Sequence, residues 1–177
     1  DTGISFLYGD ADIAEYGIGA YVEPKYNLTD RLAVGLRIGG AALIPESVSV
    51  GSENMSMGVR AISTYMAKVD YFLTTSSVRP FVGFGAGLFR VGAMDQSAGS
   101  GGVVQKAEVF DGFGIAPQVG VNFGGFRLAA TYNLITGGDR IVVTQAVGAT
   151  VPEEHSMPTS YFGLELGGTF GGDRLVR

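Results

Sequence analysis

The clearest structural signal in the chain is VGVNFGGFRLAATYNL, at residues 119–134. On both sides of its Gly-Gly pair, every second residue is apolar and the residues between are polar or small. This period of two is typical of β-strands, whose successive side chains point to opposite faces. A two-residue glycine connection is typical of a tight hairpin, because glycine readily adopts positive φ. The segment therefore predicts two antiparallel strands joined at Gly124 and Gly125.

The same alternation recurs along the chain and predicts eight strands, with no helical pattern. The other six are expected at residues 2–9, 16–25, 32–39, 64–73, 80–94 and 161–170. Short connections are predicted at residues 27–30, 74–79 and 124–125, and long ones at 10–14, 45–58, 95–108 and 136–158. An even number of strands with short turns at one end and long loops at the other is typical of an up-and-down antiparallel β-barrel in the bacterial outer membrane.

The composition favours contact with lipid. Hydrophobic residues make up 46% of the 177 residues and charged residues only 16%. No window offers the roughly 20 apolar residues that a membrane helix needs, so a membrane would be crossed by strands. We predict a single transmembrane β-barrel domain over residues 1–170 and a short periplasmic tail over 171–177, with both termini on the periplasmic, short-turn side. The net charge of −5, without a basic cluster, argues against nucleic acid as a partner.

The alternation also divides the side chains between two faces. The apolar face carries residues expected to contact lipid: Val34, Leu36, Val69, Ile115, Val121, Leu128 and Leu164. The other face is mostly small residues with a few charges, which suits the narrow interior of an eight-stranded barrel. We predict a lumen charge network on this face, formed by Glu23, Lys25, Arg37, Arg60, Lys68, Asp70, Arg127 and Glu165. Buried charges should pair, and those near the short turns are expected to close the lumen there.

Two residues do not fit this division. Pro117 interrupts the sixth strand, which the alternation predicts over residues 112–123. It removes a backbone donor there, so a bulge or irregularity is expected. Arg90 shares the parity of the apolar face. It is expected either to snorkel from the lipid face near the outer rim or to follow a bulge.

Aromatic residues concentrate near the predicted strand ends and indicate interfacial girdles. The girdle at the short-turn end is predicted to contain Tyr26, Tyr71, Phe81, Phe123, Phe126 and Phe170. A second band at the long-loop end is predicted to contain Tyr8, Tyr16, Phe89, Phe110, Tyr161 and Phe162.

Two motifs carry a resemblance to a known group. They are RPFVGFGAGL at residues 79–88 and YFGLELGGTF at residues 161–170. The chain resembles the eight-stranded outer-membrane β-barrel superfamily that includes OmpX, the OmpA membrane domain and the opacity-type surface proteins. The resemblance implies the outer membrane of a Gram-negative bacterium, surface-exposed loops and no catalytic residues. The tail after Phe170 departs from the pattern, since these barrels usually end in an aromatic residue that the assembly machinery reads.

Candidate catalytic chemistry is sparse. His155 is the sole histidine and lies in a Pro-flanked acidic loop, where neither a metal geometry nor a triad is preset. We therefore expect no enzyme activity, no metal and no cofactor. The acidic loops suggest divalent-cation bridges to lipopolysaccharide, although ordinary loop solubility accounts for them more simply.

The expected function is a non-enzymatic outer-membrane barrel that presents surface loops for envelope integrity, adhesion or interaction. Its expected partners are outer-membrane lipid and lipopolysaccharide, the barrel assembly machinery during biogenesis, and an extracellular protein ligand of the long loops. A narrow outer-membrane pore and a soluble lipocalin-like ligand-binding barrel are the alternatives.

Overall fold

The computed structural model describes residues 1–9, 16–44, 55–99, 102–145 and 160–169. In these ranges the chain is entirely β-structure and turns, and no helix is long and apolar enough to cross a membrane. The strands are β1 Thr2–Gly9, β2 Tyr16–Val22, β3 Lys25–Asn27, β4 Leu32–Ile44, β5 Met55–Phe72, β6 Val78–Gly99, β7 Gly102–Phe123, β8 Phe126–Gln145 and β9 Ser160–Gly168. His155, Phe170 and the predicted tail lie outside the described residues.

These strands close into one antiparallel barrel. β1 pairs with both β2 and β9, and consecutive pairing then runs from β9 to β4. β2 and β3 pair with β4 in a single register and form one strand, interrupted at Glu23 and Pro24. β2 thus joins β4 to β1 and closes the circle. The predicted fold class, an all-β barrel of eight antiparallel strands, is confirmed.

The register fixes the width of the barrel. A path that follows paired residues around the circle leaves β6 at Arg90 and returns to β6 at Pro80, ten residues nearer the short turns. With a rise of about 3.3 Å per residue and a strand spacing of about 4.8 Å, this stagger tilts the strands by roughly 40°. An interior of this size is just wide enough for side chains to fill.

Three short turns lie at one end of the barrel. β7 and β8 are joined by Gly124 and Gly125, which have φ of 53° and 85°. A side chain is disfavoured at such angles, so two glycines are the residues this hairpin requires. The other two short turns span residues 28–31 and 73–77. Thr2 pairs with Gly168 at the same end, where the described chain enters β1 and leaves β9.

The long loops predicted at residues 45–58, 95–108 and 136–158 are too long, because strands extend into each of these ranges. β6 and β7 stay paired as far as Gly99 and Gly102, β8 continues to Gln145, and β5 begins at Met55. The polar and glycine-rich composition of these segments favoured loops. However, a ladder needs only backbone donors and acceptors, and apolar alternation is needed only where one face is buried. As a result, β5 to β8 are much longer than the other strands.

Pro117 interrupts the β7–β8 ladder without shifting its register, because Ile115–Leu134 and Gln118–Thr131 are in the same register on either side of it. The expected irregularity is therefore present at Pro117 as a gap in the pairing with β8, and it is not a bulge. The register shift lies instead between Gly112 and Phe113.

The distribution of apolar and charged side chains is the reverse of that in a soluble barrel. Residues on the apolar parity point outward and are exposed, including Leu36 at 62% and Leu164 at 50%, whereas the charged parity points inward. Among the described strand residues, the outward face carries no charge between the short turns and the pair formed by Arg90 and Asp111. A band of outward apolar residues, with the charged residues turned inward, is the arrangement of a transmembrane β-barrel.

Candidate functional site: the charged lumen

The barrel interior gathers seven of the eight predicted lumen charges. They reach it from five strands and from the break between β2 and β3, because each has inward parity: Glu23 follows β2, and Lys25, Arg37, Lys68, Asp70, Arg127 and Glu165 lie in β3, β4, β5, β8 and β9. All are buried except Lys25, which is partly exposed. The eighth, Arg60, lies in β5 opposite Leu43, and its side chain is outside the described part of the structure.

Glu165 and Arg37 form the most highly coordinated pair. Arg37 donates from Nη1 and Nη2 to the two carboxylate oxygens of Glu165, at 2.5 and 2.8 Å. Glu165 also accepts hydrogen bonds from Gln118 Nε2 and Thr131 Oγ1, both at 2.8 Å. Such bidentate, charge-assisted pairs are among the stronger polar contacts in proteins.

Glu23 lies at the centre of the network and contacts three cations. Its carboxylate is 2.6 Å from Arg37 Nε, 2.8 Å from Lys25 Nζ and 3.4 Å from Lys68 Nζ. The break between β2 and β3 occurs at this fully buried residue. A lone buried carboxylate would be very costly, so the surrounding cations are what make its position tenable.

Arg127 completes the network on the opposite wall. Its Nη2 is 3.1 Å from Asp70 Oδ2 and donates to Gln118 Oε1 at 2.9 Å. Its guanidinium also stacks on the ring of Phe81, 3.9 Å from the centroid. Lys25 connects back to this wall, with Nζ 2.5 Å from Asp70 Oδ2.

Sequence reasoning missed two contributors. Gln118 is not among the residues predicted for the network, yet it bonds to Arg127, Lys68, Thr131 and Glu165. Its inward parity beside these charges was the available signal. Asp1 precedes the first strand and carries no periodic signal, but its Oδ2 is 2.7 Å from Lys25 Nζ.

The network is electrically balanced. Its acids are Asp1, Glu23, Asp70 and Glu165, and its bases are Lys25, Arg37, Lys68 and Arg127. With four of each, the formal charges cancel. Each base contacts at least one acid within 4 Å, so these eight side chains together carry no net charge.

The aromatic girdle prediction needs a correction. Phe81 is only 2% exposed and points into the lumen, where it packs edge-on against Phe72 and under Arg127. Its odd position in β6 gives it inward parity, which outweighs its place near a strand end. The remaining described girdle residues point outward and are exposed: Tyr26, Tyr71, Phe123 and Phe126.

The same correction applies at the other end. Phe89 and Tyr161 are buried in the lumen, at 1% and 7% exposure, with their rings 6.4 Å apart. Together with other inward residues they form an apolar layer above the charges, which consists of Leu7, Leu43, Ile62, Met66, Phe89, Val91, Ala116, Ile135 and Tyr161. The lumen is therefore not polar throughout: it is charged towards the short turns and apolar towards the long strands.

A small cavity separates these two layers. Its volume is about 40 Å³, and Arg37, Glu165, Thr64, Asn133 and Tyr161 contribute to its lining. A space of this size holds about three water molecules, whereas pockets for small organic ligands are several hundred Å³. Among the described residues, no group of three or more His, Cys, Asp or Glu side chains is arranged to hold a metal ion.

Comparisons with known proteins give little beyond this geometry. No protein-family model matches the chain, and no curated protein is similar to it. A search of solved structures found the crystal structure of Acinetobacter baumannii CarO, which aligns with 92% of this chain and 95% of that chain. The sequence identity is 11% and the TM-score is 0.34. A likeness this low does not define the function, which has to be argued from the residues of this chain.

Proposed function

We propose that this protein is a non-enzymatic barrel of the Gram-negative outer membrane with a sealed lumen, whose function lies in the long strands and loops at one end. The observation that carries the proposal is the filling of the interior. A balanced charge network and an apolar layer lie one above the other, and each charged group is held by another protein group rather than presented to a substrate.

The membrane location is supported by the outer surface. The outward face is apolar around the whole circle and has exposed aromatic rings at the short-turn end, including Phe123 and Phe126. Helices and closed barrels are the structures that satisfy all backbone groups in hydrocarbon, and this chain closes its barrel through β2 and β4. Strand number and size support a place beside OmpX and the opacity-type proteins, with the short turns on the periplasmic side.

The long strands support a role in interaction or envelope integrity. β5 to β8 continue as a paired sheet after β4 and β9 have ended, so this end of the barrel presents ordered backbone rather than short connections. Lipopolysaccharide or an extracellular protein is the proposed partner at this end, and the assembly machinery is the proposed partner during biogenesis.

A narrow pore is the second candidate, favoured by the small cavity beside Arg37 and Glu165. Planar-bilayer recording separates the two. We expect the unmodified protein to insert without steady conductance, because the cavity lies between two filled layers. Arg127→Ala combined with Phe89→Ala, which removes a side chain from each layer, should produce conductance, whereas Arg31→Ala combined with Phe89→Ala, an equal loss of charge in an exposed turn, should not. Steady, size-selective conductance by the unmodified protein would establish the pore and refute the sealed barrel.

A further inference from the structure

Among the residues whose side chains the structure describes, the outward face of the barrel carries one charged pair. Arg90 in β6 and Asp111 in β7 are register partners, and both side chains point away from the lumen. Arg90 Nε and Nη2 donate to the two carboxylate oxygens of Asp111, at 2.6 and 2.9 Å. The side chains are 65% and 51% exposed, so this pair is presented to the surroundings of the barrel.

The pair lies at the upper limit of the apolar belt. Because the stagger of ten residues is spread over eight strands, equal height shifts by roughly 1.25 residues from each strand to the next. The height of Arg90 is then reached near Gly9, Tyr16 and Ser160, where β1, β2 and β9 have their upper ends. The exposed rings of Tyr8 and Tyr16 lie at this level with centroids 5.6 Å apart.

This height fixes the chemical surroundings of the pair. The outward residues below it are apolar or uncharged, as the hydrocarbon region requires, and charges within that region are costly. Exposed tyrosines mark the interface between hydrocarbon and headgroups. If the barrel spans a membrane as proposed above, Arg90 and Asp111 lie in the headgroup layer of the outer leaflet, where the charged groups of lipids are phosphates.

Arg90 also has a hydrogen-bond donor that Asp111 does not use. Asp111 accepts from Nε and Nη2, and Nη1 has no acceptor among the described residues. Ser63 lies directly opposite Arg90 on β5 with the same outward parity, and the exposed Tyr65 is two residues further along that face. A guanidinium with neighbouring hydroxyls is a donor set suited to phosphate oxygens.

We propose that Arg90, oriented by Asp111 and assisted by Ser63 and Tyr65, is a binding site for the phosphate of an outer-leaflet lipid headgroup. Asp111 plays a positioning role: it accepts from Nε and Nη2, fixes the guanidinium in place and leaves Nη1 to the lipid. The inference depends on the proposed membrane insertion, and it adds a specific lipid contact to it.

Native mass spectrometry of the folded protein, released from detergent micelles, tests the site. The probes are phosphatidylglycerol and a galactolipid with the same acyl chains but no phosphate. Arg90→Gln should weaken phosphatidylglycerol binding about fivefold, the effect of one arginine at an anionic surface. Arg31→Gln removes the same charge in an exposed short turn and should leave binding unchanged. Galactolipid binding should be equal in all variants.

Other outcomes overturn the proposal. An equal loss of phosphatidylglycerol binding in the Arg90 and Arg31 variants would show that binding depends on the net charge of the protein and not on a site at Arg90. Displacement of the lipid by excess inorganic phosphate would show a free-anion site, and loss of binding on magnesium chelation would show a cation bridge through Asp111. If Arg90→Gln does not fold, Arg90→Lys provides the test. Lysine keeps the positive charge but lacks the planar guanidinium that can bind Asp111 and a phosphate together, so unchanged lipid binding would refute the proposal.

Failure of the proposed function would look different. In that case the unmodified protein would not insert into phosphatidylglycerol-containing vesicles at all, as measured by its gel mobility without boiling. Insertion combined with equal lipid binding in all variants would leave the membrane barrel in place and remove only the Arg90 site.

Discussion

The ion pair between Arg37 and Glu165 allows a direct test of whether the charge network in the lumen stabilises the folded barrel. Arg37→Met removes two hydrogen bonds to Glu165 and one to Glu23, and leaves the buried network with one unmatched negative charge. Breaking a buried ion pair typically costs about 3–5 kcal/mol. Glu23 keeps its contacts with Lys25 and Lys68, and a cavity adjoins the site, so we expect the lower part of that range.

Glu165→Gln should cost less than the arginine substitution. The amide keeps one acceptor oxygen for Arg37, and Arg37 retains Glu23 at 2.6 Å, so a loss of roughly 2 kcal/mol is expected. The double variant restores electrical balance, because one charge of each sign is absent. Its cost should therefore fall short of the sum of the two single costs by about 2 kcal/mol.

Urea unfolding of the barrel reconstituted in lipid vesicles, followed by far-ultraviolet circular dichroism, measures these free energies. The matched control combines Glu165→Gln with Arg31→Met. Arg31 lies in an exposed turn, so that pair should be additive within about 0.5 kcal/mol. If the losses in free energy of unfolding for Arg37→Met and Glu165→Gln also add within about 0.5 kcal/mol, the bidentate pair contributes no coupling energy in the folded barrel, and the expectation is wrong.

Three further outcomes are expected. Asp70→Ala or Arg127→Ala, each combined with Phe89→Ala in the apolar layer, should create conductance in planar bilayers that the unmodified protein lacks, and silence in both double variants would show that these two layers are not the seal. Leu164→Arg, near the middle of an outward apolar strand, should lower the free energy of unfolding in lipid by about 2–4 kcal/mol, and an unchanged urea midpoint would favour a soluble barrel. Gly120→Ala should cost about 1–3 kcal/mol, because its Cβ would press against the backbone oxygen of Leu128 and lie 2.6 Å from the ring of Phe81 on the adjacent strand. Gly92→Ala, where a Cβ meets nothing within 4 Å, should leave thermal stability nearly unchanged.

The barrel itself could be predicted from the sequence because its physics is local. Period-two alternation assigns each strand residue to a face. The pair Gly124 and Gly125 predicts a hairpin, because a two-residue turn needs positive φ and glycine adopts it readily. The same parity brought Glu23, Arg37 and Glu165 to one interior, since an eight-stranded barrel leaves inward charges nowhere else to lie.

The remaining features depend on information that a local pattern does not carry. Phe81 and Tyr161 were assigned by residue type and position near a strand end, although their parity points inward. The extension of β6 and β7 to Gly99 and Gly102 was hidden because a strand in water need not alternate. Asp1 contacts Lys25 only because the closed barrel brings the start of β1 beside β3, which no periodicity announces.

The equality of acids and bases in the lumen has an evolutionary consequence. Loss of any one of the eight side-chain charges leaves the network with one unmatched charge, so single neutralising substitutions should be selected against even where the barrel still folds. Positions such as Arg37 and Glu165 are instead expected to change together, as pairs that lose or exchange opposite charges within one lineage. In an alignment of relatives, the lumen should therefore show strong covariation at positions whose individual residue types vary.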